Sequence, residues 1–203
     1  MATDESEKNI LEHASNRYME AGVSKVSMDE IASELQVSKK TIYKFFPSKQ
    51  ALLKGVVNLF TRRVQAQVKK IVNSDAPFEQ KMVDLLLVLG KMLGKMSKQF
   101  VLDVQRSSPA LWKEIETFRD EQILSQLKAM FVQAKKEGIF RDEINTDLFY
   151  MMFISSVDGI INPTTLTEQS FSAKEAFQGI LELLIDGALT PDAREKYHFF
   201  SEI

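Results

Sequence analysis

Apolar residues recur along the chain at spacings of three and four, alternation of period two is scarce, and only eight Gly and five Pro interrupt the 203 residues. That pattern predicts an all-α protein whose helices are set by caps and breakers. "SEKNILEHASNRYMEAG" places Ile10, Ala14, Tyr18 and Ala21 on one face and ends at Gly22, a residue suited to a left-handed stop. Ser27-Met28-Asp29-Glu30 forms a capping box that opens a two-turn helix with Met28, Ile31, Ala32 and Leu35 inward. Ser38 caps a third short helix, which stops near Phe46 because Pro47 disfavours helical geometry in the residue before it. Ser48 then caps a long helix reaching about Val72, closed by the turn cluster "NSDAP" at 73–77.

Beyond that turn, the spacing predicts a helix over 78–105 with a polar stripe at Lys81, Asp84, Lys91, Lys95 and Lys98, broken by "SSP" at 107–109. Further helices are predicted over 110–137, ending at Gly138, over 146–161, and over 173–189 behind a second capping box from Ser172 to Glu175. Thr190-Pro191 permits a short helix in the tail. The domain boundary is expected inside the long helix after Pro47, with residues 1–50 forming a small three-helix unit and residues 51–203 a larger helical body. The long helix would act as a lever between them.

Composition changes this picture little, but charge changes it substantially. The formal net charge is only -2, yet residues 35–74 carry nine basic and no acidic groups, while the segments before and after sum to -5 and -6. A +9 window inside an acidic protein is a local electrostatic footprint that the average hides. At its centre lies "VSKKTIYKFFPSK", residues 37–49. Helices at about 28–35 and 39–46, joined by a turn containing Val37, have the spacing of a helix-turn-helix. Ile42 and Phe46 are four apart and face inward, which leaves Lys40 and Lys44 outward with Thr41 and Tyr43 beside them. No glutamate accompanies these lysines, so the face is built to meet phosphate oxygens and base edges, not to balance itself with i,i+4 pairs. Ser27 and Ser48 stand at helix starts, where free backbone N–H groups attract phosphate.

The stretch from Ile10 to Leu53 resembles the DNA-binding domain of the TetR family of bacterial transcriptional regulators. The likeness is carried by Ala14 and Gly22, Ile31-Ala32, Val37-Ser38, Thr41-Ile42-Tyr43, Phe46, Ser48, Lys49 and Leu52. It implies that Tyr43 and Lys49 hold phosphates, that Thr41 and its neighbours approach the major groove, and that Ser27 touches the DNA backbone. The full expected DNA-binding set is Ser27, Ser38, Lys39, Lys40, Thr41, Tyr43, Lys44 and Lys49. One departure stands out: the family often has histidine where this chain has Phe45, which removes a polar phosphate contact.

The same resemblance implies that the larger body binds a small-molecule effector and dimerises through its last two long helices. Those helices are apolar around most of their circumference, with small residues that permit close approach. Met152, Ser156, Ile180, Leu183, Leu184 and Gly187 are the candidate interface residues. Adaptable apolar side chains that could line an effector cavity are Met82, Leu86, Met96, Phe100, Trp112, Phe131 and Phe153, with Met92 and Phe118 nearby in the pattern. Methionine and aromatic residues at helical spacing are more often plain core. Asp158, alone among apolar neighbours in "SSVDGII", is a candidate either for a ligand anchor or for a contact within the dimer interface.

The expected function is therefore that of a homodimeric DNA-binding regulator, a repressor released from a palindromic operator by a small lipophilic effector. Two alternatives stay open: an activator of the same fold, and a helix-turn-helix adaptor that binds protein. The chain has no cysteine and no glycine-rich phosphate loop, and His13 and His198 lie at no catalytic or metal-ligand spacing, so no enzyme, metal or cofactor is expected. No export signal opens the chain and no apolar run reaches bilayer length, which leads to a cytoplasmic expectation.

Overall fold

The computed structural model describes residues 2–197, and the regular structure among them is helical apart from one antiparallel bridge between Phe140 and Leu189. Twelve α-helices are described: α1 (Ala2–Ala21), α2 (Met28–Glu34), α3 (Lys39–Phe45), α4 (Lys49–Val72), α5 (Phe78–Lys95), α6 (Lys98–Ser107), α7 (Pro109–Phe118), α8 (Ser125–Lys136), α9 (Thr146–Ile160), α10 (Pro163–Glu168), α11 (Ala173–Ala188) and α12 (Pro191–Lys196). A π-helical segment, Arg119–Leu124, joins α7 to α8. Packing divides the chain into two compact units. The first runs to Arg63 and takes in Lys95–Thr117; the second holds Val64–Gly94 and the chain from Phe118 onward. By packing, then, the unit that contains the short helices extends beyond residue 50 and recruits a segment far away in sequence.

In the first unit, Ile10, Ala14 and Tyr18 of α1, Ile31 of α2, Ile42 of α3 and Leu52 and Val56 of α4 share one buried cluster with Phe100, Val101 and Val104 of α6. The expected periodicities produce these faces, but the partner helix α6 is supplied from elsewhere in the chain. Gly22 ends α1 at φ +94, with its N–H donating to the Tyr18 carbonyl at 2.9 Å. A Cβ there would meet Gln99 Cγ at 2.4 Å and Asp103 Oδ2 at 3.0 Å. Gly22→Ala is therefore expected to destabilise this unit by roughly 1–3 kcal/mol through positive-φ strain and overlap. A urea titration should show a lower midpoint at unchanged slope, and an unaltered midpoint would contradict the packing described.

The loop that follows is tied down by Asp103, whose Oδ2 accepts the Ser24 N–H at 2.6 Å while its Oδ1 accepts from Gln99 at 2.6 Å. Burial works against the charged form of Asp103, yet the Ser24 and Gln99 hydrogen bonds hold its carboxyl below the ordinary carboxylate range. Tyr18 is fully buried, its hydroxyl has no hydrogen-bond partner among the described residues, and burial pushes its ionisation well above the ordinary phenol range.

The predicted helix over 78–105 is instead two helices. Ser97 breaks it: its N–H donates to the Met19 carbonyl at 2.9 Å, and its hydroxyl caps α6 by accepting the Phe100 N–H at 3.2 Å. The predicted helix over 110–137 is likewise interrupted by the π-helical segment. Helix α10, opened by Asn162 and Pro163, was not among the predicted elements.

In the second unit, α9 packs on α8 and α11. Phe131 stacks edge-on against Phe149 at 4.7 Å and Phe153 at 5.8 Å, and Phe140 joins the cluster with Phe78 edge-on to it at 5.9 Å. Lys81 corrects the expected solvent stripe, being only 7% exposed. Its Nζ donates to the Val72 carbonyl at 3.1 Å, so the cation sits where the last carbonyls of α4 lack helical partners. Asp84, from the same stripe, is half-buried and accepts from Gln80 at 2.9 Å.

Candidate nucleic-acid interface

The capping box at the start of α2 is complete. Glu30 N–H donates to Ser27 Oγ at 3.1 Å, and Glu30 Oε2 accepts from the Ser27 N–H at 2.7 Å and its hydroxyl at 2.8 Å. The Ser27 N–H and hydroxyl, with Arg17 and Lys49 nearby, hold the Glu30 carboxyl below its ordinary range. Ser27 is thus already engaged in setting the first turn of α2. Gln36, at φ +56, is the non-glycine residue that turns the chain between α2 and α3. Val37 N–H donates to the Ala32 carbonyl at 3.0 Å, which fixes that turn against α2.

Helix α3 begins at Ser38, whose Oγ accepts the Thr41 N–H at 3.1 Å and shares a 2.8 Å hydrogen bond with the Thr41 hydroxyl. Ile42 is fully buried and Phe46 nearly so, and this pair anchors α3 to the core in the predicted phase. Outward stand Lys39, Lys40, Lys44 and Tyr43, the last 47% exposed. Lys39 pairs with Asp29 of α2 at 2.5 Å, whereas Lys40 and Lys44 make no ion pair among the described residues. Phe45 is half-buried against the first unit's core, with Lys44 Nζ 5.8 Å from its ring centroid. It therefore has a packing role where a polar contact would otherwise be expected. Ser48 caps α4 by accepting the Ala51 N–H at 3.1 Å, and the half-buried Lys49 is the first residue of that helix.

Two N-terminal helix ends and a lysine-bearing helix thereby lie within one short segment. Free N–H groups, ammonium groups and a phenol are donors of the kind that hold phosphate oxygens and read groove edges.

The candidate effector residues do not gather in one unit. Phe100 belongs to the core of the first unit, with Met96 and Trp112 packed against it and Trp112 Nε1 donating to Glu116 at 2.8 Å. Met82, Leu86, Phe131 and Phe153 are buried in the second unit. Asp158 is exposed, and its Oδ1 pairs with Arg119 Nη2 at 2.6 Å. Arg119 also reaches Asp120 at 3.0 Å; nothing in the pattern of α9 itself pointed to this partner from the π-helical segment.

Of the candidate dimer residues, Met152 is 50% and Leu183 79% exposed, and Gly187 is exposed as well. Ser156 and Leu184 are half-buried, and Ile180 is buried within its own unit. Leu148 and Met151 of α9, which the sequence did not single out, are also exposed. No group of three or more metal-ligating side chains occurs among the described residues, and His198 lies outside them.

The family model for bacterial regulatory proteins of the tetR family matches residues 10–56. The uncharacterized HTH-type transcriptional regulator YvaF of Bacillus subtilis (strain 168) is 24% identical over 182 residues, covering 89% of this chain and 94% of that protein. Among solved structures, a putative transcriptional regulator from Saccharomonospora viridis in complex with choline shares the fold at TM-score 0.70 and 19% identity, over 92% of this chain and 99% of that one. The fatty acid degradation regulator FadR from Bacillus halodurans shares it at TM-score 0.62 and 22% identity, over 90% and 95% of the two chains.

Proposed function

The chain belongs to the TetR family of bacterial transcriptional regulators, and from that premise we propose that it is a homodimeric repressor, released from a palindromic operator by a small lipophilic effector. The observation that carries the reading is the outward face of α3, where Lys40, Tyr43 and Lys44 are exposed and neither lysine pairs with a carboxylate among the described residues. Lys49 and the N-terminus of α4 add a phosphate site, and Thr41 lies at the base-reading end of the helix.

A twofold dimer would present two such helices to successive major grooves, about 34 Å apart, which is why the operator is proposed to be palindromic. The exposure of Leu148, Met151 and Met152 on α9 and of Leu183 on α11, two helices that pack together, supports that assembly. Release requires an effector that binds the DNA-incompatible form of the dimer better than the compatible one. The second unit, with Met82, Leu86, Phe131 and Phe153, is the proposed seat of that effector, and α4 contributes residues to both units. That the Saccharomonospora viridis regulator holds choline supports a small-molecule effector as a class. The proposed place of action is the cytoplasm, where the chromosome lies, and no helix among the described residues is long and apolar enough to cross a membrane.

The reading is tested by titrating the purified protein into duplex DNA across a range of salt concentrations. Affinity should fall linearly on a log–log scale with a slope of about -0.9 for each phosphate neutralised. A protein that ignores duplex DNA at low salt refutes the proposal.

A further inference from the structure

Helix α2 carries two carboxylates in its first turn, and they do different things. Glu30 is committed to the capping box, accepting both the N–H and the hydroxyl of Ser27. Asp29 takes no part in that cap. Its Oδ2 instead accepts from Lys39 Nζ at 2.5 Å, across ten residues of chain and from one helix of the helix-turn-helix to the other. Both side chains remain open to solvent, at 57% and 63% exposure. Exposed pairs of this kind contribute little to folding stability. The pair nonetheless occupies the ammonium group at the first position of the recognition helix, and the lysines at positions 40 and 44 of the same helix have no such partner among the described residues.

We propose that Asp29 is a built-in competitor for DNA: its carboxylate occupies Lys39 in the free protein, and a phosphate oxygen must displace it before Lys39 can engage the duplex. This rests on the DNA-binding reading above. Carboxylate and phosphate oxygens are alike as anionic acceptors of a lysine N–H, so the exchange replaces one charge-assisted hydrogen bond by another. A lysine already neutralised by its own protein yields little net gain when it meets a phosphate, and Asp29 adds a repulsion that every stretch of duplex encounters equally. The consequence falls on the sequence-independent part of binding, which is largely phosphate attraction. Asp29 thereby lowers attachment to bulk DNA while leaving the base-reading side of α3 intact, which raises discrimination.

The test compares the full-length protein with Asp29→Asn, Asp29→Ser and the double variant Asp29→Asn/Lys39→Gln, each titrated into a mixed-sequence DNA duplex from low to moderate salt. Both single variants should bind roughly five- to tenfold more tightly at about 0.1 M salt, with a log–log slope steeper by about 0.9, the signature of one more neutralised phosphate. The double variant should lose both gains. Unchanged slopes in the single variants, with the natural protein binding normally, overturn the inference alone. A gain that survives in the double variant also overturns it, because a general field effect would then be at work in place of a released Lys39. Failure of the natural protein to bind duplex DNA at low salt overturns the DNA-binding reading, and this inference with it.

Discussion

Replacing Lys40, Lys44 and Lys49 together by glutamine is expected to lower affinity for duplex DNA about a hundredfold near 0.15 M salt and to flatten the log–log slope by about 2.7. The magnitude follows from counterion release. Each phosphate that is no longer neutralised weakens binding by a factor of about 5 at that salt concentration, and three such factors multiply. Lys40 and Lys44 are exposed and make no ion pair among the described residues, so their removal leaves the core anchors Ile42 and Phe46 untouched. Unfolding midpoints should therefore stay close to those of the natural protein, separating a defect in recognition from a defect in folding. Binding that keeps its affinity and slope would remove α3 from the DNA interface altogether.

The second large effect is expected at Leu183→Glu. Leu183 is 79% exposed on α11, and Leu148, Met151 and Met152 are exposed on α9, the helix that packs against it. A carboxylate on that apolar face would have to be desolvated when two protomers meet, a cost far above what one leucine returns. The variant should sediment as a monomer at concentrations where the natural protein is expected to be a dimer. Affinity for a two-half-site duplex should then fall by roughly 10²–10⁴, because the second half-site is no longer delivered at high effective concentration. A variant that remains dimeric would place the interface elsewhere.

How much of this was legible beforehand depends on what kind of information each feature needs. The helix-turn-helix was readable because its determinants are local. The Ser27–Glu30 box, the Ser38 cap, the four-residue spacing of Ile42 and Phe46 and the stop at Pro47 all act within one or two turns. Lys81 was misread for the opposite reason: helical phase placed it in a stripe of charges, but the carbonyl that receives its ammonium group belongs to the end of α4, nine residues back and around a turn. The break at Ser97 is similar, since half of its cause is the Met19 carbonyl on α1. Ile180 and Leu183 show a third limit. On a helix that is apolar nearly all round, periodicity cannot say which apolar residue faces its own protomer, and here the two lie on opposite sides of that division. The Arg119–Asp158 pair was hidden because its partners lie on two separate elements, the π-helical segment and α9, and periodicity within either one does not bring them together.

The way the chain threads its two compact units has a consequence for protein engineering. Contact between α1 and α6, and the burial of Phe100, Val101 and Val104 with residues of α1 to α4, make the segment Lys95–Thr117 part of the first unit's core. A DNA-reading head cut from this chain at a single point would leave that apolar surface bare and take its covering away with the discarded piece. Swapping operator specificity between this regulator and another of its kind is accordingly a transplant with three sutures, at 63/64, 94/95 and 117/118. The donor must supply both pieces, matched to one another, for the graft to close.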